Sequence, residues 1–347
     1  MTLSRVKHAG RAHQENFEQT WLHPEATQSM ASRGRKIPEE DCPLRTSFQR
    51  DRDRILHTKA FRRLKHKTQV FIAPEGDHYR TRLTHTLEVT QISRSVSRGL
   101  GLNEDLTEAI GLGHDLGHAP FGHAGERVLD NLFVPDGFRH NEQSVRVVDT
   151  LEPLNLTDEV RDGILHHTGP GVPYTLEGQV VKICDRVAYL NHDLDDAIRA
   201  GLIDESALPA WVSSTFGRTR GERIEAMVLD LIEHSDLENR QIRFSQQRHD
   251  PFLELRAWMF KHIYLGSRAK QEEEKAMGIV ARLFQYFSSR PEALEEAWGK
   301  SVASAQLART AVDYVSGMTD RYAIAKYQEL FLPTPWRLSD ESVCMSL

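Results

Sequence analysis

Cysteine is scarce in this chain. Its 347 residues hold three, Cys42, Cys184 and Cys344, odd in number and far apart. That excludes a disulfide framework and a CxxC metal site, and it fits a reducing compartment. No apolar run approaches the length that crosses a bilayer. The opening MTLSRVKHAGRAHQENFEQT lacks the apolar stretch of a secretory signal. No GxxxxGK[ST] loop is present to cradle phosphates, and neither internal repeats nor recurrent alternating strands occur. Basic excess is lacking too: the net charge is −6, so the surface as a whole is not built to coat nucleic acid. The expectation is a soluble, cytoplasmic protein. With 39% hydrophobic residues it has enough apolar material for a packed core.

What is present is helical patterning. Residues 1–44 are polar and broken by Gly34, Pro38 and Pro43; they read as an N-terminal extension with at most one helix. From Thr46 to Leu64 apolar residues recur near helical spacing. QVFIAPEGD, Gln69 to Asp77, interrupts as a strand fragment or loop. A helix then repeats Leu83, Leu87, Ile92, Val96 and Leu100. Asn103 is placed to cap the next, with Glu104 and Asp105 in its first turn and Leu106, Ala109, Ile110 and Gly113 on its inner face. Thr157 opens another. The clearest spans Gln179 to Ala200, closed by Gly201. Residues 205–330 are also helical in pattern. The predicted organisation is all-α: an extension (1–44), a core (45–204) and a C-terminal helical region (205–347) packing on that core.

Histidine is abundant, at 17, and it is both the commonest metal ligand and a frequent acid–base group. His–Asp dipeptides occur at 114–115, 192–193 and 249–250. The last runs into Pro251 and reads as loop. His192–Asp193 lies on the long helix. His114–Asp115 stands out because it ends an apolar helix beside Gly111, Gly113 and Gly117, small residues that leave room for close packing or a ligand. His85 shares a helix face with Val89, Ile92 and Val96. Asp185 lies between Val181 and Ala188. One buried imidazole or carboxylate is usually a satisfied core group. Four on consecutive inward faces call for partners or a metal.

These residues carry a resemblance. FRRLKHKTQVF, RLTHTLEV, GHDLGHAPFGHAGE, HNEQ and KICDRVAYLNHDLDDA, with DYVSGMTDRYA nearer the C-terminus, resemble the HD superfamily of metal-dependent phosphohydrolases. Within it the chain is most similar to the deoxynucleoside triphosphate triphosphohydrolases, the dGTPase-like group. The fold this implies is an HD-domain helical bundle with additional C-terminal helices. The resemblance implies that His85, His114, Asp115 and Asp185 bind one divalent metal ion. Such mixed imidazole and carboxylate ligands suit Mn, Fe, Co, Ni or Zn, and Mg less well. It implies hydrolysis of dGTP or several dNTPs to deoxynucleoside and inorganic triphosphate, by water attack at the α-phosphorus. The 5′-oxygen then needs a proton donor, and the family assigns that role to the histidine matching His123. Glu126, three residues on, is within reach to orient that imidazole.

Gly117 and Pro120 end the helix before His118 can share a face with His114. His118 is therefore expected on a phosphate, as in the family. His140 matches a further active-site histidine that contacts phosphates or the attacking water. Arg82 and Arg186 match phosphate contacts, and Gln69 is placed near the sugar. Asp185, Tyr189 and Asp193 form one helical stripe, on which Tyr189 would pack on the deoxyribose and Asp193 accept from the 3′-hydroxyl. In DYVSGMTDRYA, Tyr322 and Asp320 are candidates for returning to the pocket. His166 and His167 are candidates for a second metal. The resemblance also implies a homo-oligomer and admits a nucleotide effector. Residues 45–67, with nine Lys or Arg against two Asp, keep a single-stranded DNA contact open. Two alternatives stand beside this reading: another HD phosphohydrolase acting on nucleoside monophosphates or single-stranded nucleic acid, and a non-catalytic nucleotide sensor.

Overall fold

A computed structural model describes residues 10–69, 80–264 and 269–333. Among them are sixteen α-helices: α1 Arg11–Trp21, α2 Ser47–Leu56, α3 Lys59–Arg63, α4 Arg82–Gly99, α5 Glu104–Gly113, α6 His123–Leu132, α7 His140–Arg146, α8 Asp158–His166, α9 Leu176–Arg199, α10 Ala210–Phe216, α11 Arg220–His234, α12 Gln246–Met259, α13 Ala269–Ser288, α14 Pro291–Trp298, α15 Leu307–Ser316 and α16 Asp320–Phe331. The β-structure of the described residues amounts to three isolated bridges. The fold is all-α, as the periodicity indicated. No described helix is long and apolar enough to cross a membrane.

Local chemistry explains the main helices. The Asn103 side chain accepts from the amides of Asp105 and Leu106 at 3.1 and 3.2 Å and so starts α5, whose inner face (Leu106, Ala109, Ile110, Gly113) is buried as expected. In α9 the Thr175 hydroxyl accepts from Gly178 N, which starts the helix three residues before the expected Gln179. Gly201, at φ +65°, closes it. In α4 the buried stripe is His85, Val89, Ile92 and Val96. Leu87, expected inside, is 48% exposed, because it lies on the opposite side of the helix from that stripe. The His249–Asp250 loop reading is overturned as well. Both residues lie in α12, with Pro251 inside the helix at the cost of one backbone hydrogen bond. Of QVFIAPEGD only Gln69 falls among the described residues.

Two hydrophobic cores form. The larger joins α2, α4, α5, α8 and α9 through residues such as Phe48, Ile55, Val89, Ile110, Ile164 and Val187, and it continues into α10–α12 through Val212, Met227 and Phe252. The smaller gathers α6 and α13–α16 around Phe121, Leu129, Val280, Phe287 and Val315. The stretch from His114 to His123 runs from one core to the other.

Candidate active site

His85 projects from the first turn of α4, His114 and Asp115 follow α5 directly, and Asp185 comes from the middle of α9. Packing of α4, α5 and α9 brings the four together. His85 Nε2 lies 3.0 Å from Asp185 Oδ1, and His114 Nε2 lies 3.6 Å from Asp115 Oδ2 and 3.9 Å from Asp185 Oδ1. His114 Nδ1 donates to the Gly111 carbonyl at 2.7 Å. Its Nε2 lone pair is therefore turned toward the carboxylates, and Nε2 is buried without a hydrogen-bond partner. Adjacent ligands of a cation with bonds of about 2.1 Å stand about 3 Å apart, so the contracted donor set and the orphaned imidazole nitrogen fit a divalent ion. His85, His114 and Asp115 form a group of potential ligands all within 4.8 Å of one another. Burial pushes the Asp185 and Asp115 carboxyls up. It is outweighed by His85, His114 and His167 around Asp185, and by Arg82 and three histidines around Asp115, so both stay ionised below the usual carboxylate range.

A second group adjoins the first. The Glu126 carboxylate, from the first turn of α6, serves several histidines. It accepts from His140 Nδ1 at 2.9 Å and from His140 N at 2.9 Å. It lies 3.3 Å from His123 Nδ1 and 3.9 Å from His118 Nε2. The His118 and His140 rings stack at 4.2 Å. His167 Nδ1 donates to the Ile164 carbonyl at 2.8 Å, which leaves its Nε2 as an acceptor 3.1 Å from His140 Nε2. His140 thus donates from both ring nitrogens, to Glu126 and to His167, and carries a positive charge. Burial opposes that charge, but the charge and hydrogen bond of Glu126 prevail and raise the His140 pKa. Burial, with His114 and His140 as neighbours, pushes His167 down to about 3. The His167 ring sits 5.0 Å from that of His114, so the two groups are continuous. His123 lies at the mouth, its side chain 78% exposed.

The remaining expected residues fall in different places. Arg82 is buried and donates from Nη1 to Asp115 Oδ2 at 2.7 Å, while its Nε and Nη2 have no partner. Gln69 Oε1 is likewise buried and unpartnered, and the Gln69 backbone flanks the Gly122 turn that also borders Arg82. Tyr189 is half-buried on α9, its hydroxyl accepting from Arg256 Nε of α12 at 3.0 Å. Asp193 is buried one turn further. Arg186 is half-buried beside Asp185 and forms no ion pair among the described residues. Tyr322 is not brought to the histidine cluster. It hydrogen-bonds to the Tyr314 hydroxyl at 2.8 Å and lines a separate cavity of about 440 Å³ with Arg63, Lys67, Trp298 and Gly117. His167 as partner of His140, and Arg256 as partner of Tyr189, were not assigned from sequence. The His–His doublet was a signal for the first. No local signal marks the second, since the pairing depends on how α12 packs.

The HD domain family model matches residues 82–190, and a phosphohydrolase-associated domain matches residues 242–329. Over 326 residues the chain is 53% identical to a deoxyguanosinetriphosphate triphosphohydrolase-like protein of Caldanaerobacter subterraneus subsp. tengcongensis, covering 93% of this chain and 96% of that one. Proteins of the same description from Desulfatibacillum aliphaticivorans and Clostridium tetani are 46% and 45% identical, with 92% and 95% of this chain and 98% and 99% of theirs covered. A phosphohydrolase crystal structure from Bacteroides thetaiotaomicron shares the fold, with a TM-score of 0.52 at 17% identity over 80% of this chain and 69% of that one. The chain belongs to the HD-domain phosphohydrolases, in the group of deoxyguanosinetriphosphate triphosphohydrolase-like proteins.

Proposed function

We propose that the protein hydrolyses deoxynucleoside triphosphates to deoxynucleoside and inorganic triphosphate. One observation carries the reading. Of the ten buried side-chain polar atoms without a partner among the described residues, six belong to residues of this site: Gln69 Oε1, Arg82 Nε and Nη2, His85 Nδ1, His114 Nε2 and His118 Nδ1. Leaving such atoms unsatisfied costs about 1–3 kcal/mol each, which a phosphate-rich ligand and a cation would offset together. The names of the relatives supply the substrate class.

His85, His114, Asp115 and Asp185 would hold one divalent cation, which when bound supplies charge neutralisation and Lewis-acid polarisation at the phosphoryl group. The two free guanidinium nitrogens of Arg82 and the ring of His118 bind phosphate oxygens, with Arg186 at the edge. Tyr189, held by Arg256, packs on the deoxyribose, Asp193 accepts from the 3′-hydroxyl, and Gln69 borders the sugar. Water attacks the α-phosphorus, the bond to the 5′-oxygen breaks, and that oxygen takes its proton from His123. Glu126 orients His123 and fixes the charge on His140, which His167 supports from the other side. The released triphosphate loses the proton that water brought, and solvent restores it to the imidazole.

The test is to incubate purified protein with Mn²⁺ and each dNTP, singly and mixed, and to identify the products. Deoxynucleoside with tripolyphosphate supports the reading. Pyrophosphate with monophosphate, or no product from any mixture, overturns it.

A further inference from the structure

We propose that Asp320, the first residue of α16, is a positioning residue. Its carboxylate clamps the Thr68–Gln69 segment to the Phe121–Gly122 turn and thereby sets where His123, Gln69 and Arg82 stand. The proposal rests on the functional reading above for the roles of those three residues.

Both carboxylate oxygens are engaged. Oδ1 accepts from Phe121 N at 2.9 Å, and Oδ2 accepts from Thr68 N at 2.8 Å and from the Thr68 hydroxyl. The residue lies in the first turn of α16, where the helix dipole favours a negative charge. Asp320 forms no salt bridge with the described residues, so its role there is to collect amide and hydroxyl donors. Nearby, the buried Lys67 ammonium donates to the carbonyls of His118 and Ser316. The α15–α16 connection therefore grips the His114–His123 stretch at two points.

The backbone being held is costly. Phe121 has φ +62° and Gly122 φ +60°. A non-glycine residue is disfavoured in this left-handed region, and such a conformation persists only where its surroundings over-determine it. Here the Phe121 ring is anchored in the smaller core while Asp320 holds its amide. The turn rides directly on other site residues: a Cβ at Gly122 would stand 3.1 Å from Arg82 Nη2 and 3.3 Å from the Gln69 carbonyl. His123 is the next residue. One carboxylate from the C-terminal helices thus fixes the spacing between the mouth histidine and two groups expected on the substrate.

Asp320→Asn tests this in the full chain. An amide keeps one acceptor oxygen but turns its NH₂ toward a backbone amide that it cannot satisfy. The expected result is a 10- to 100-fold fall in kcat, of the size produced by a displacement of about 1 Å, with cation stoichiometry retained. In a His123→Ala background the same substitution should produce a smaller further loss, because part of its effect passes through His123 and the rest through Gln69 and Arg82. Hydrogen exchange should rise in peptides covering residues 119–124 and stay unchanged in α13. Asp320→Glu, which keeps charge and acceptors, should fold and recover part of the exchange protection. Unchanged kcat, an equal fold-loss in both backgrounds, or exchange rising equally across α13 would overturn the proposal. If the wild-type protein turns over no dNTP, the functional reading fails, while the exchange measurements still decide the clamp.

Discussion

Arg82 donates from Nη1 to Asp115 Oδ2 across 2.7 Å, with the two side chains only 2% and 4% exposed. Each neutralises the other in a place where neither charge would stand alone. Asp115→Ala leaves the guanidinium buried without a counter-charge, and breaking a buried pair in this way costs about 3–5 kcal/mol. The expected outcome is that loss of stability in chelator-treated protein, read by urea unfolding, together with loss of divalent binding, read by calorimetry. Asp115→Asn keeps an acceptor for Arg82 and should lose less stability while still weakening the cation. Full cation stoichiometry in Asp115→Ala would remove Asp115 from the ligand set.

His123 makes the opposite prediction. Its side chain is largely exposed and contacts Glu126 across 3.3 Å, so His123→Ala should change stability by less than about 0.5 kcal/mol. If His123 is the proposed proton donor to the 5′-oxygen, the substitution should lower kcat by about 10²- to 10⁴-fold and leave cation binding intact. Steady-state kinetics and metal analysis on the same preparation check both halves. An unchanged kcat would place the donor elsewhere.

Much of this site was legible in the sequence because its signals are local. Asn103 and its acidic neighbours mark the start of α5, and His85 repeats in register with Val89, Ile92 and Val96, which is enough to place a polar group on a buried face. What depends on distant partners was not legible. Residues 45–67 read as a basic concentration. In the structure Arg45 and Arg52 pair with Asp53, Arg50 and Arg54 with Glu39, and Arg52 also with Asp105 and Glu108. Arg50, Arg52 and Arg54 are thus paired with acids that the segment's own count misses, while Arg45 pairs with Asp53 inside the segment. Glu126 was tied to His123 by spacing, but its stronger contact, to His140, needs α6 and α7 to meet. The inward reading of Leu87 failed because the apolar repeat joined Leu87 to Ile92 and Val96, which lie on the opposite side of the helix, and the rest of the chain covers only the latter.

Glu39 gives a pH-dependent test away from the cluster. Its carboxylate ties the N-terminal extension to Arg50 and Arg54 of α2 and to Asn155. The hydrogen bond from Arg54 holds its pKa down to about 2 against the opposing effect of burial, helped by Asn155 and by the charges of Arg54 and Arg35. A carboxylate with a depressed folded-state pKa stabilises above its unfolded value, here 4.5, and the contribution is lost as pH falls toward 2. Glu39→Gln should therefore melt below wild type at pH 6.5, and the gap should narrow steadily under pH 4.5. Thermal melts of the two proteins across that range decide it; a gap independent of pH would show that the ion pairs contribute nothing.

Gly117 links packing to chemistry. A Cβ there would lie 2.2 Å from Ser144 N and 2.4 Å from the Gln143 carbonyl carbon. These are backbone atoms of α7, so the strain cannot be relieved by turning a side chain. The helix must move, and it carries His140, whose ring is held between Glu126 and His167 by contacts of 2.9 and 3.1 Å. Gly117→Ala should cost about 1–3 kcal/mol, as overpacking does, and should lower kcat even at temperatures where the variant is fully folded. Gly221→Ala in α11, where a Cβ meets nothing within 4 Å, should gain up to about 1 kcal/mol from helix propensity and leave kcat unchanged. Urea unfolding with kinetics on both variants separates the two cases. Equal stability and equal kcat would mean that α7 tolerates the shift and that His140 is placed by Glu126 rather than by the close approach at Gly117.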